Sequence, residues 1–326
     1  MSAKTQNRQH WAEIAEAGCI GGMRFLLWAH RRLGMWPFKV LLFMVICWFF
    51  VFQKTARNAS REYLGRLYVH SGGATPRPTW FSSFRHFMAF GETLLDKLRA
   101  RDLCRAQERF FRARGLEHLE RLLTEKRGAL LLTAHMGNLE LCRYLAHAYH
   151  ADVRLSILAH TRNAERFNRL LRALEPDHEV ELIQVAHMDA GVAARLSERV
   201  SGGGFLVIAG DRIPLRLGNN TLSVDFLGSP ALFPLGPYLL ASALEVPVFL
   251  LFSARKDGRG AHEFSVTVRP LADPLTLPRK NRRQAAESYV RQYVAALEEE
   301  CRENPLQWFN FFPFWRQGRA DSSVLS

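Results

Sequence analysis

The stretch Gly128-Ala-Leu-Leu-Leu-Thr-Ala-His-Met-Gly-Asn-Leu-Glu140 predicts a strand, a sharp turn and the start of a helix. Its consecutive apolar residues, 129–132, are typical of a strand that is buried on both faces of a sheet. Gly137 permits the unusual backbone angles of a tight turn, and the residues that follow, as far as Tyr149, favour a helix. The sequence therefore predicts an α/β fold that is organised around this unit.

Two side chains of this stretch have the types and spacing of a general base and its partner. His135 lies where the predicted strand ends, and Glu140 follows five positions later. Five residues of a regular helix turn the chain by about 500°, which points two such side chains apart, so they meet only across a strand, a turn and a helix. In that arrangement the carboxylate accepts the imidazole N–H and leaves the other ring nitrogen free to take a proton.

From about residue 108 onward, apolar runs of strand length alternate with segments of helix length. This alternation predicts a central mixed, largely parallel sheet that is flanked by helices. The predicted strands cover residues 109–112, 129–134, 153–159, 179–184, 205–209, 246–252 and 264–268. The predicted helices cover residues 116–125, 138–149, 164–174, 188–198, 235–244 and 282–303.

The N-terminal part has a different composition, with apolar and aromatic residues between clustered arginines. Residues 35–52 are the most hydrophobic run of the chain, and Lys39 reduces the uncharged part of that run to 13 residues. A short spanning or re-entrant helix, a monotopic anchor and a buried core helix all fit such a run. We predict N-terminal membrane-associated helices within residues 1–75 and a domain that carries the chemistry over residues 76–326.

The net charge indicates the class of binding partner, and the cysteines indicate the redox state of the compartment. The 326 residues include 44 Lys and Arg against 31 Asp and Glu, a net charge of +13, so the surface attracts polyanions. The basic residues are dispersed, without zinc-finger spacing or an RNA-recognition motif, which favours a membrane or an acidic protein over nucleic acid. The five cysteines are isolated and form no Cys-x-x-Cys pair, which fits a reducing compartment.

Two further polar turns follow predicted strands and are expected at the same edge of the sheet as the histidine. The first turn contains His160, Arg162 and Asn163. They either contact the substrate or have no role in it, in which case Asn163 caps the next helix and Arg162 is solvated. The second turn contains Asp211 and Arg212. This pair either forms a structural ion pair, binds a phosphate or polarises the carbonyl of a donor.

Three apolar segments have more than one interpretation. Residues 80–98 place aromatic and aliphatic side chains at helical spacing, which is typical of a core helix and also suits an acyl-chain groove. Residues 224–237 combine small, apolar and proline residues, which fits either a turn or the wall of such a groove. Residues 304–315 form an exposed-looking aromatic cluster that covers the core or enters a membrane interface.

The ordered set of these segments resembles the bacterial lipid A late acyltransferase family of the lysophospholipid acyltransferase superfamily. The similar features are the His-x4-Glu at residues 135–140, the polar turn after the next strand, the Asp-containing turn, and the Phe-Leu-Gly-x-Pro-Ala segment that begins at Phe226. The resemblance covers most of residues 10–315. One departure is His160-Thr-Arg162, which stands where the family commonly has Tyr-Arg, so the acceptor is not indicated. The pattern looks closest to predicted acyltransferases found with glycolipid or aryl polyene biosynthesis genes.

The resemblance implies a glycerol-3-phosphate acyltransferase-like fold. It also implies transfer of a fatty acyl group from an acyl carrier protein or coenzyme A thioester to a hydroxyl or amine of a lipid or glycolipid. No metal and no bound organic cofactor are expected. His135 would be the general base and Glu140 its partner, while Asn138, Arg212 and backbone N–H groups near Gly137 would bind substrate or the oxyanion. The implied location is the bacterial inner membrane, with the active site on the cytoplasmic side.

Two other classes of function stay open. The first is a catalytically degenerate, membrane-anchored protein that binds lipids or polyanions. The second is a hydrolase, but the sequence contains neither a Gly-x-Ser-x-Gly elbow nor a His-Glu-x-x-His zinc motif. An esterase or zinc hydrolase would therefore need a site of another kind.

Overall fold

The computed structural model describes residues 35–106, 111–138, 153–159, 181–184, 190–213, 220–257 and 262–316. The chain divides into two compact units. One unit comprises Met1–Gln53 with Thr161–His178, and the other comprises Lys54–His160 with Glu179–Ser326. The functional boundary that the sequence places at residue 75 stays a prediction.

The described part of the first unit is helix α1, Met35–Phe52. Many of its apolar side chains are exposed, among them Met44 at 62%, Trp48 at 59% and Phe52 at 65%. In the described part of the chain, no single helix is long and apolar enough to cross a membrane. Segments Lys39–Phe52 and Lys54–His70 meet that test only together, as a bent pair. The membrane association of this region stays a prediction.

The second unit contains the predicted alternation of strands and helices. Its elements are α2 (Lys54–His70), α3 (Trp80–Ala106), β1 (Phe111–Arg114), α4 (Leu116–Thr124), β2 (Ala129–Thr133), β3 (Leu155–Ala159), β4 (Glu181–Gln184), α5 (Ala190–Ser201), β5 (Phe205–Ala209), β6 (Thr221–Phe226), β7 (Ser229–Pro234), α6 (Gly236–Leu244), β8 (Val248–Asp257), β9 (His262–Ala272), α7 (Arg282–Glu303) and a 3-10 turn (Phe314–Arg316). The predicted helices over 138–149 and 164–174 lie outside the described residues, apart from residue 138, which is not helical.

Seven of the described strands form one sheet in the order β1-β9-β8-β2-β5-β3-β4. Neighbouring strands are parallel except for β8 and β9, which are antiparallel. The mixed, largely parallel sheet that the sequence predicts is therefore confirmed. Strand β2 is central, with β8 on one side and β5 on the other.

The apolar run of β2 follows from this central position. Leu130 and Leu132 belong to a core cluster on one face of the sheet, which also contains residues of α2, α5, α6 and α7. Ala129 and Leu131 belong to a second cluster on the opposite face, which contains Leu122 of α4. Because successive strand residues point to opposite faces, a strand that is covered on both sides needs apolar residues at every position. Each buried leucine contributes about 1.5–3 kcal/mol.

Strands β6 and β7 form a separate antiparallel hairpin, which the sequence analysis did not predict. Its two-residue turn, Leu227-Gly228, has φ angles of 51° and 75°. Hairpin turns of this handedness normally contain Asn-Gly, so a leucine in the first position gives no turn signal. Pro230 and Pro234 also argue against a strand, but an isolated two-stranded ribbon accommodates them. The segment 224–237 is therefore a hairpin that leads into α6.

Candidate active site

The turn after β2 presents His135 at the carboxyl edge of the sheet. Gly137 has a left-handed φ of 55°, and an added Cβ would lie 1.9 Å from the carbonyl oxygen of Ser253, so this position requires glycine. The Asn138 N–H donates to the Ser253 Oγ at 2.9 Å, which fixes the turn to β8. The His135 side chain is 44% exposed. The turn therefore offers an imidazole to solvent from a rigid backbone.

The partner of His135 in the described part of the chain is Asp211, which follows the neighbouring strand β5. The imidazole Nδ1 lies 2.7 Å from Asp211 Oδ1. The other carboxylate oxygen, Oδ2, accepts the His135 main-chain N–H at 2.9 Å and the Trp308 Nε1–H at 2.9 Å. Because a carboxylate only accepts, Nδ1 carries the proton, and Nε2 is left as the basic nitrogen.

The charges around Asp211 keep it ionised although it is only 2% exposed. Burial alone would raise the pKa of this carboxyl. The charge and hydrogen bonds of His135 and the charge of Arg212 outweigh burial and hold the pKa well below its usual range. A carboxylate that stays ionised throughout the physiological range is suited to orient an imidazole and to stabilise its protonated form.

Arg212 places a partly buried positive charge next to this pair. Its Nη2 donates to the Phe309 carbonyl oxygen at 3.1 Å, and its guanidinium lies 4.3 Å from the centre of the Phe312 ring. Burial lowers the pKa of Arg212, and the Asp211 charge partly opposes that shift. The charges of Asp211 and Arg212 therefore favour each other, while the Asp211 carboxylate makes its contact with His135. Which of the roles expected from the sequence this pair has stays a prediction.

Residues 304–316, here called the C-terminal strap, lie against the histidine turn. The Phe309 N–H donates to the His135 carbonyl oxygen at 2.8 Å, and the Gly137 N–H donates to the Gln307 carbonyl oxygen at 3.1 Å. Trp308, Phe309 and Phe314 are 1%, 7% and 2% exposed. The aromatic cluster that looked exposed in the sequence is thus largely buried, because it covers the end of the core beside the site.

A comparison with known protein families identifies the family of the chain. A model of the bacterial lipid A biosynthesis acyltransferase family matches residues 33–317. The chain belongs to this family. The match spans the histidine turn, Asp211 and the strap, and it confirms the family resemblance that the sequence indicates. A search of the curated proteins finds no matching relative.

The structure brings some of the predicted acyltransferase residues together. Asp211 and Arg212 share an edge of the sheet with His135, and the buried Asn138 extends the same turn. Glu140 lies outside the described residues, and so do the three residues of the first polar turn, His160, Arg162 and Asn163. The strand that precedes that turn, β3, is separated from β2 by β5. At about 4.8 Å per strand spacing, the end of β3 lies roughly 10 Å from the end of β2.

Sequence reasoning missed two features of this candidate site. It assigned Asp211 to an ion pair or to the substrate, and did not predict that Asp211 contacts the His135 ring. It also treated Trp308 as part of an aromatic cover, whereas its indole N–H belongs to the site. A strand-end aspartate is a usable signal, but the adjacency of β2 and β5 cannot be read from chain order because β3 and β4 intervene.

A second histidine, His86 of α3, fixes the strap from behind. Its Nε2 lies 3.0 Å from the Trp308 carbonyl oxygen, which can only accept, so Nε2 is protonated. Nδ1 then accepts from the Ser60 hydroxyl at 3.0 Å, and Ser60 in turn accepts from Ser83 at 2.9 Å. Phe311 packs 4.7 Å from the His86 ring. Both ring nitrogens of His86 are hydrogen-bonded within this buried network, so a second proton on the ring would displace the Ser60 hydrogen bond.

We expect His86 to make the protein sensitive to mild acid. Burial lowers the pKa of His86 from 6.5 to about 4, and the Trp308 carbonyl only partly opposes this. The unfolded chain therefore binds the extra proton first, so stability is complete above pH 6.5 and falls by roughly 3 kcal/mol as the pH approaches 4. Thermal unfolding in detergent between pH 7 and 4 measures this, and His86→Gln should have a lower midpoint with a flatter pH dependence. Equal pH dependence in both proteins would contradict the assignment.

Proposed function

We propose that this member of the lipid A acyltransferase family transfers a fatty acyl group from an acyl thioester to a hydroxyl or amine of a lipid or glycolipid. The observation that carries the proposal is the half-exposed His135, whose Nδ1 contacts a buried, ionised Asp211. That arrangement leaves Nε2 as a general base at the edge of the sheet where ligands of α/β proteins collect.

The proposed reaction has a balanced path for the proton. The acceptor oxygen attacks the thioester carbonyl carbon while its proton passes to His135 Nε2. The tetrahedral intermediate then collapses, the carbon–sulfur bond breaks, and the imidazolium returns the proton to the leaving thiolate. Asp211 stabilises the imidazolium during this cycle and keeps the proton on Nδ1 at rest.

The main-chain N–H groups of Gly137 and Asn138 donate to Gln307 and Ser253. Two side chains, those of Arg212 and Asn138, are therefore the candidates to bind the developing oxyanion. Arg212 supplies a partly buried cation, and its contact with the Phe309 carbonyl oxygen fixes its direction. A positive charge in a water-poor site is worth more to an oxyanion than the same charge in solvent. We propose that Arg212 stabilises the oxyanion or binds a phosphate of the acceptor, and that Asn138 of the histidine turn also contacts the substrate. The substrate roles of His160, Arg162 and Asn163, and the pairing of Glu140 with His135, remain proposals from sequence.

The charge and the surface chemistry of the protein support a proposal for the donor and for the location. We propose acyl carrier protein as the donor carrier, with coenzyme A as the alternative, because the net charge of +13 favours an acidic partner. The proposed location is the cytoplasmic face of the bacterial inner membrane, with the thioester as co-substrate and no bound cofactor. Exposed apolar side chains of α1 support membrane contact. So do Trp80 and Phe81, exposed by 54% and 71%, with Arg57 stacked on the Trp80 ring at 4.9 Å.

Lipid analysis of bacterial cells that express wild type or His135→Ala at matched levels tests the proposed function. A lipid or pigment that gains one acyl group only with wild type would support transfer and identify the acceptor. Fractionation of the same cells tests the location, because both proteins should sediment with membranes. Equal lipid profiles, together with no turnover of acyl thioesters by the purified protein, would exclude the enzyme and favour a degenerate lipid-binding protein.

A further inference from the structure

The orientation of the His135 ring depends on what holds the far side of the Asp211 carboxylate. A carboxylate can rotate about its Cβ–Cγ bond, so Oδ1 faces the imidazole reliably only when Oδ2 is fixed. Two N–H groups fix Oδ2, namely the His135 main chain at 2.9 Å and Trp308 Nε1 at 2.9 Å. Of these donors, only the indole comes from a part of the chain outside the histidine turn.

Trp308 is itself held rigidly. Its side chain is 1% exposed, and the rings of Tyr63, Phe226 and Phe314 lie 5.0, 5.2 and 5.1 Å from its ring. Edge-to-face aromatic contacts of this kind define the orientation of a ring as well as its position. The indole has one polar hydrogen and no acceptor, so its direction toward Asp211 is unambiguous.

The main chain of the strap is fixed to the same turn. Met136 and Trp308 form an isolated antiparallel bridge, and the Phe309 N–H donates to the His135 carbonyl oxygen at 2.8 Å. On the other side, His86 Nε2 donates to the Trp308 carbonyl oxygen at 3.0 Å. The strap thus contacts both the backbone and, through Asp211, the side chain of His135.

We propose that Trp308 is a positioning residue for acyl transfer: its indole N–H holds Asp211 in the rotamer that orients the His135 imidazole. This inference rests on the proposed function for its kinetic consequence but not for its structural one. Trp308 does not contact the nitrogen that takes the proton, so it acts through Asp211. Removing the indole N–H should lower the turnover number and leave the Michaelis constants unchanged.

The sharpest variant replaces Trp308 with 3-benzothienylalanine, which keeps the shape of the side chain and exchanges the N–H for sulfur. The full-length protein in detergent would be assayed with dodecanoyl thioesters of acyl carrier protein and coenzyme A, and with a bacterial total lipid extract as acceptor. We expect kcat to fall about tenfold, the size of one lost hydrogen bond to a charged group, with KM within twofold of wild type. Reinstating tryptophan by the same suppression route should restore wild-type kcat.

Phe314→Leu is the matched packing control, because it removes one of the three rings around Trp308 and leaves Tyr63 and Phe226 to orient the indole. It leaves the indole N–H in place for Asp211. It should retain kcat within about twofold of wild type. A wild-type kcat in the isostere would overturn the proposal. So would an equal loss in Phe314→Leu, because the effect would then come from packing alone.

A spectroscopic measurement separates this proposal from the proposed function. The 15N shifts of the His135 ring report which nitrogen carries the proton, and His135→Ala assigns that signal among the 12 histidines. Wild type should show the Nδ1–H tautomer, and the isostere an increased share of Nε2–H. Unchanged tautomer shifts would overturn the positioning role. A shift in a protein without transferase activity would support that role and exclude only the enzymatic function.

Discussion

Asp211→Asn is expected to lower the rate of acyl transfer by roughly a thousandfold to ten-thousandfold, the size seen when an imidazole is held in the wrong tautomer. The two N–H groups at Oδ2 require an acceptor there, so the amide oxygen of the asparagine takes that place. The amide NH2 then faces His135 Nδ1 and donates to it. Nδ1 becomes the acceptor, the proton moves to Nε2, and the base is lost.

The rate of thioester consumption in the presence of acceptor measures this effect. Asp225→Asn is the matched control, because Asp225 lies exposed on β6 and its loss of charge should leave the rate unchanged. Glu140→Gln tests the partner that the sequence predicts. Full activity in Asp211→Asn, combined with inactivity in Glu140→Gln, would show that Glu140 orients His135. That result would contradict our assignment of this role to Asp211.

Gly137→Ala is expected to reduce the transfer rate by more than a hundredfold and to destabilise the protein. The new Cβ would lie 1.9 Å from the Ser253 carbonyl oxygen, and the φ of 55° adds about 1–2 kcal/mol of backbone strain. The neighbour is backbone of β8 and cannot turn away, so the histidine turn must move. A displacement of about 1 Å at a catalytic group is enough for a hundredfold loss.

Gly228→Ala is a control that has the backbone strain of an alanine at positive φ but no steric clash of the new Cβ. Gly228 has a φ of 75° in the β6–β7 turn, and a Cβ there would meet nothing within 4 Å. This variant should be destabilised by about 1–2 kcal/mol and remain fully active. Thermal unfolding and thioester consumption, measured on both variants, check the pair. A Gly137→Ala protein with wild-type activity would show that the turn tolerates displacement.

The sequence was sufficient to predict the mixed α/β architecture and the position of His135 at the end of β2. Strand β2 and α7 carry strong local patterns, so their bounds were predicted to within a residue. His135 was found because a strand end followed by Gly137 is a local signal. In contrast, β8 and β9 extend beyond their predicted ends. Their added residues include Arg255, whose guanidinium lies 3.3 Å from the Asp96 carboxylate.

The rest depends on contacts that no local pattern encodes. Asp211 is adjacent to His135 because β5 inserts between β2 and β3, which is a property of sheet order. Trp308 has the same local features as the other aromatic residues around it, and only its position over the carboxylate distinguishes it. The hairpin turn at Leu227 is likewise determined by its surroundings, since its N–H donates to Glu298 Oε1 at 2.6 Å.

The contacts that orient the His135 imidazole join residues far apart in the sequence, so we expect them to form late in folding. The His135–Asp211 contact joins residues 76 positions apart, and the Trp308–Asp211 contact joins residues 97 positions apart. Contacts of such high order form slowly, because each must first close a long loop. A chain emerging from the ribosome can therefore complete the sheet around β2 before the strap is available. Until the strap docks, the imidazole has no fixed tautomer. Incompletely folded chains should therefore not hydrolyse the thioester.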